Sequence, residues 1–130
     1  MKIFGIGTDI INIKRMEKTL KKDGGSFKKR VFSENEIIYC EKKKNPTTFF
    51  AKRFAAKEAL SKAMGTGFGN GFSLKEVEVL NDTFGKPSIK LSGGVLKKLK
   101  SKIKDKKYSI HLSLSDDKPL ALATVIITCR

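Results

Sequence analysis

The chain has 130 residues and a formal charge of +15, from 28 Lys and Arg against 13 Asp and Glu with the single histidine neutral. That length suits one domain, residues 1–130, with a packed core, and the charge points to an acidic partner: nucleic acid, an anionic membrane face, a phosphorylated ligand or an acidic protein. Cys40 and Cys129 are too few for a disulfide framework or zinc cluster, no apolar run nears the ~18 residues of a membrane span, and Gly5 and Asp9 interrupt any signal-peptide core; the expected protein has reduced thiols and is cytoplasmic.

In chain order, residues 3–6 predict a short apolar strand, with Gly5 and Gly7 bracketing its end. Ile13, Met16 and Leu20 then repeat at helical spacing, with Lys14, Arg15, Lys18, Lys21 and Lys22 on the opposite face, and residues 23–26 stop this helix. Ser33 and Glu36 form a capping box for a helix over 34–42. After Pro46, Thr47 or Thr48 is expected to cap a helix running to about Met64, rich in Phe and in Ala residues that let another backbone approach closely. The glycines of 65–71 end it.

Ser73 and Glu76 repeat the capping-box pattern, but the alternation of Val77, Glu78 and Val79 favours a strand, paired as a hairpin with residues 88–91 across the turn at 82–87. Val95, Leu96, Leu99 and Ile103 mark another amphipathic helix. Residues 108–115 alternate, with His111, Ser113 and Ser115 on the polar side, and residues 120–129 return as a buried strand. The order predicts an α+β fold, a mainly antiparallel sheet packed against a long central helix.

Few residues offer chemistry. Gly5-Ile6-Gly7 has Ile10 where a dinucleotide loop needs its third glycine, and Gly85-Lys86 has Leu80 where a P-loop needs its first. One histidine and no base near Cys40 argue against a nucleophilic triad. The plain role of Asp9 is a helix N-cap, and that of Glu58 a surface pair with Lys62 one turn on. Yet Glu58 lies on a helix with apolar or small residues on most sides, where a carboxylate needs a partner. If Asp9 and Glu58 converge, two hard oxygens with substrate phosphates and water are the usual way to hold Mg²⁺. Lys57 and Lys62 would then flank the ion and neutralise phosphate charge, and Ser61 would donate to a phosphate oxygen, a set suited to transfer at phosphorus.

Two stretches carry a family likeness. Gly5-Ile6-Gly7-Thr8-Asp9-Ile10 with Arg15, and Phe54-Ala55-Ala56-Lys57-Glu58-Ala59-Leu60-Ser61-Lys62-Ala63, resemble the two main motifs of bacterial holo-acyl-carrier-protein synthases, members of the 4′-phosphopantetheinyl transferase family. Asn70-Gly71 and the 81–87 segment match further stretches, and the likeness spans essentially the whole chain. The resemblance implies that fold and a homotrimer with sites between subunits. It also implies transfer of 4′-phosphopantetheine from coenzyme A to a serine of apo-acyl carrier protein, with Mg²⁺, releasing adenosine 3′,5′-bisphosphate, in fatty acid biosynthesis. Asp9 and Glu58 would hold the metal, and Glu58 would deprotonate the serine either directly or through a metal-bound water. Lys62 would lie beside the pyrophosphate, Arg53 and His111 near the 3′-phosphate, and residues 65–71, beginning at Gly65, along the nucleotide pocket. Arg15, and with it Lys18, Lys22, Lys28 and Lys29, would steer and dock the acidic carrier.

An RNA-binding domain is the alternative class for a small basic α+β chain. It explains the charge but leaves Glu58 without a purpose, and no Trp with only two Tyr is a poor supply of rings for base stacking. Neither nucleic acid nor membrane is therefore expected as a partner.

Overall fold

The computed structural model describes residues 1–66 and 73–130. Five strands form two antiparallel sheets: β1 (Lys2–Asn12), β5 (Leu120–Cys129) and β4 (Tyr108–Asp117) in that order, and a separate hairpin of β2 (Val77–Asn81) with β3 (Pro87–Leu91). Helix α4 (Pro46–Met64) packs against β1 and β5, while α1 (Ile13–Lys21), α2 (Ser26–Val31) and α3 (Glu34–Glu41) gather at its N-terminal half. Helix α5 (Gly93–Lys102) lies near the hairpin. The α+β class and the long central helix are as the sequence predicts.

Helix α4 has 19 residues, about 28 Å at 1.5 Å per residue. Ala55, Ala56, Ala59 and Ala63 are buried against Ala123, Val125 and Ile127 of β5, and Val77, Val79, Val95 and Leu99 complete this core. A second core joins Ile13, Met16, Val31, Phe32, Cys40, Phe50 and Ala51. Both cysteines are free and buried.

The pattern misplaces some boundaries. Strand β1 runs eleven residues rather than four, because β5 gives it a ladder partner as far as Asn12 paired with Leu120. Asn12, not Asp9, therefore caps α1, its side chain accepting from the Arg15 amide. Helix α4 begins at Pro46, whose missing N–H costs nothing in a first turn, so neither Thr47 nor Thr48 is its cap. Helix α2 is an element the periodicity does not announce; it follows a left-handed stretch at Asp23, Gly24 and Gly25. The Ser73 box does form, around a 3₁₀ turn at Leu74–Glu76 that leads directly into β2, so helix signal and strand signal are satisfied in succession.

Candidate active site

The site is built where β1 meets α4. Gly5, Gly7 and Asp9 share one face of the strand, because side chains alternate with period two. A Cβ placed at Gly5 would sit 1.8 Å from the carbonyl oxygen of Ala63, and one at Gly7 1.9 Å from that of Ala59. The two glycines thus do the work of close helix-to-strand approach rather than of a phosphate loop. Asp9 is the first residue of that row with a functional side chain, and it meets α4 beside the turn that carries Glu58 and Lys62.

Lys62 Nζ donates to Asp9 Oδ1 and to the Thr8 carbonyl, each at 3.0 Å. It does not make the i,i+4 pair with Glu58. Asp9 Oδ2 is buried and has no hydrogen-bond partner among the described residues. Glu58 is half-buried, and its carboxyl is held above the usual range, first by burial and then by the charge of Asp9, with Lys62 opposing. The structure therefore brings Asp9, Glu58 and Lys62 together. Two acids that repel each other, one with an orphaned buried oxygen, form a site short of positive charge. A divalent cation fits this donor set. Among the described residues no group of three or more His, Cys, Asp or Glu gathers to hold a metal unaided, so substrate oxygens and water would have to complete the shell.

Other expected site residues are placed differently. Lys57 does not face this cluster. Its ammonium is fully buried and donates to Glu36 Oε1 at 2.8 Å and to the carbonyls of Leu74 and Val77 at 2.9 and 2.5 Å. Burial pulls its pKa down, and Glu36 opposes that. It has no donor left for a phosphate. Ser61 is buried as well, and its hydroxyl donates to the Thr66 carbonyl at the end of α4. Gly65 ends that helix in the left-handed region, with φ of 78°. Of the 65–71 stretch, residues 67–71 lie outside the described residues, Asn70 and Gly71 among them.

Arg53 is 2 % exposed, with its guanidinium 4.2 Å from the Tyr39 ring centre and one NH₂ group donating to Asn81. Its Nε is buried without a partner among the described residues. With Lys52, Asn81, Gly85 and Ser113 it lines a cavity of about 260 Å³. His111 stands apart, exposed on the outer face of β4 with Nε2 3.2 Å from Thr128 Oγ1. His111 is thus not among the residues that line the cavity over Arg53. Arg15 and Lys18 are exposed on α1 and Lys22 follows it. Lys28, in contrast, is tied to Glu41 at 3.4 Å and to the Phe50 ring.

Sequence reasoning missed Asn12, Glu36, Tyr39 and Asn81 as the residues that fix these positions. Glu36 left a signal as the N3 residue of a capping box, and Asn81 as the first residue of the 81–87 stretch.

Residues 5–125 match the model of the 4′-phosphopantetheinyl transferase superfamily. The chain belongs to that superfamily. It is 45 % identical over 127 residues to the holo-[acyl-carrier-protein] synthase of Pelagibacter ubique, covering 98 % of each chain. Its fold is similar to the crystal structure of the synthase from Neisseria meningitidis, with TM-score 0.83 and 36 % identity over 97 % of this chain and 98 % of that one. It is also similar to the Bacillus anthracis synthase solved in complex with coenzyme A (3′,5′-ADP), with TM-score 0.80 and 39 % identity over the whole of both chains. The transferase class that the two sequence motifs imply is therefore the class of this enzyme.

Proposed function

We propose that this enzyme moves 4′-phosphopantetheine from coenzyme A to a serine hydroxyl of an acidic apo-acyl carrier protein, in the cytoplasm and in the service of fatty acid biosynthesis, with the whole chain as one transferase domain. The serine oxygen forms a bond to the β-phosphorus of coenzyme A. The bond from that phosphorus to the bridging oxygen breaks, and adenosine 3′,5′-bisphosphate leaves with the electron pair. The observation that carries the reading is the buried, partnerless Asp9 Oδ2 beside the Glu58 carboxyl.

Asp9 and Glu58 would hold Mg²⁺, which when bound polarises the pyrophosphate and neutralises charge on the leaving group. Lys62, anchored on Asp9 and the Thr8 carbonyl, sets its ammonium beside the same phosphates and offsets part of their charge. Glu58, whose carboxyl burial and Asp9 push upward, takes the serine proton, directly or through a water. The cavity over Arg53, with its partnerless Nε, receives the 3′-phosphate end of coenzyme A. Arg15, Lys18 and Lys22 meet the acidic carrier.

A homotrimer is part of this reading. Ile6 and Ile10 of β1 are 60 % and 57 % exposed, and Leu122, paired with Ile10, is 39 % exposed. Such an apolar sheet face is what a subunit contact covers, and it would carry the exposed His111 toward a neighbouring site. No helix among the described residues is long and apolar enough to cross a membrane.

The test is incubation with coenzyme A, Mg²⁺ and apo-carrier protein, read by mass spectrometry. The carrier gains the phosphopantetheine mass with wild-type enzyme. The rate with Glu58→Gln falls by at least about a hundredfold, equivalent to about 2.7 kcal/mol in barrier. Near-normal turnover by that variant would remove Glu58 from the mechanism, and tight RNA binding with no mass gain would favour the RNA-binding class.

A further inference from the structure

The turn joining β4 to β5 is fastened to the start of α1. The amide of Ile13 donates to the carbonyl oxygen of Pro119 across 2.8 Å, so the hairpin tip and the helix present one continuous surface. Between them lies a depression of about 480 Å³, lined by Ile13 and Pro119 with Lys14, Lys18, Lys118 and Glu17. All but Ile13 are exposed. Among the described residues no carboxylate comes within salt-bridge distance of any of the three lysines, and Glu17 pairs with none of them.

Three unpaired ammonium groups around one small hollow repel one another, and the hollow retains a positive field that a partner can relieve. Two apolar residues, the buried Ile13 and the exposed Pro119, line the hollow with the charges. A bare phosphate would use the charges and waste the apolar surface. A protein helix that carries acidic side chains beside an apolar one would use both, and the hollow has the volume for a few side chains. The position also matters: Lys18 lies on α1 with Arg15, already assigned to the carrier, so one partner seated on α1 reaches the turn.

We propose that the β4–β5 turn, through Lys118 together with Lys14 and Lys18, is a second docking point for the acidic carrier protein, an inference that rests on the carrier being the acceptor. Lys118 acts on recognition of that protein and has no part in binding coenzyme A.

The experiment compares wild type, Lys118→Glu and, as a control, Lys98→Glu on α5. Affinity for fluorescently labelled apo-carrier is measured by anisotropy at low and high salt, alongside KM for carrier and for coenzyme A. Reversing one docking charge is expected to raise carrier Kd and KM about three- to tenfold at low salt, with the difference shrinking as salt rises. KM for coenzyme A does not move, and Lys98→Glu stays at the wild-type value. Carrier affinity of Lys118→Glu within twofold of Lys98→Glu overturns the docking point while leaving the transferase reading intact, since wild type still modifies the carrier. Wild-type protein that neither binds nor modifies any carrier overturns the reading itself, and the docking point with it.

Discussion

Two of the three lysines on helix α4, Lys57 and Lys62, meet carboxylates in opposite ways. Lys57 and Glu36 are both fully buried, and every charged atom is accounted for. The ammonium makes three hydrogen bonds; Glu36 Oε1 also accepts from the Ser33 amide and Oε2 from the Val79 amide, each at 3.0 Å. That cluster joins α3, α4 and β2 and asks for nothing more. Around Lys62 the accounts stay open: its side chain is 58 % exposed, Asp9 Oδ2 has no donor, and Glu58 ionises reluctantly. Paired buried charge fastens a fold. Two acids crowded around one exposed ammonium in a partly covered site weaken it, and they persist where a cation or a substrate completes them.

The closed cluster should fail first. Lys57→Met leaves the Glu36 charge buried without its cation, which costs about 3–5 kcal/mol. Adding Glu36→Gln removes that charge while keeping acceptors for the Ser33 and Val79 amides, and should recover part of the loss. Urea unfolding of the three proteins measures both steps; a loss under about 1 kcal/mol for Lys57→Met would mean that the pair fastens little. The open cluster should behave in reverse. Asp9→Asn removes a repelling charge along with a half-exposed ion pair of small worth, so stability stays within about 0.5 kcal/mol while turnover drops at least about a hundredfold. Millimolar Mg²⁺ should raise the melting temperature of wild type and not of Asp9→Asn. A matching rise in both would place the cation elsewhere.

Gly7→Ala tests what holds the open site in register. The added methyl meets the Ala59 carbonyl, and α4 must shift away from β1 at a cost of about 1–3 kcal/mol. Unlike Asp9→Asn, it should lower stability and turnover together. A variant that melts like wild type and works like it would mean that the spacing of strand and helix does not position Asp9.

Much of this contrast was legible in the residues. The apolar repeats gave α1 and α5, the capping box gave α3, and alternation gave the strands of both hairpins, since these are local signals. Asp9 and Glu58 stood out because acids are scarce in a chain this basic, and Lys62 because it lies one turn past Glu58. What stayed hidden depends on pairing across the chain. Strand β1 reaches Asn12 only because β5 lies alongside, and that extension moved the cap from Asp9 to Asn12. Lys57 and Lys62 look alike in sequence, but the residues between them turn one toward Glu36 and the other toward Asp9, and no local pattern says what waits on each side. Ser61 was read as a phosphate ligand for the same reason, although it closes its own helix.

Cys40 reports how dry the closed region is. It is fully buried among Phe32, Phe50 and Ala51, and burial pushes its thiol from an ordinary 9.0 up to about 12, with Arg53 opposing and Glu36 adding to the rise. The folded pKa therefore lies above the unfolded one. Stability is complete below pH 9 and falls as pH climbs toward 12, because the unfolded chain releases the proton first. Lysines titrate in the same range, so the comparison is with Cys40→Ala, which keeps them and drops only this contribution. Urea unfolding at pH 7.5 and 10 should show wild type losing up to about 1 kcal/mol more than Cys40→Ala over that interval. The native thiol should also resist iodoacetamide at pH 8 and react once unfolded, since the thiolate is the nucleophile. Equal slopes for the two proteins would mean that water reaches the thiol. The Lys57–Glu36 cluster next to it would then be no drier than the site around Asp9, and burial would not be what separates them.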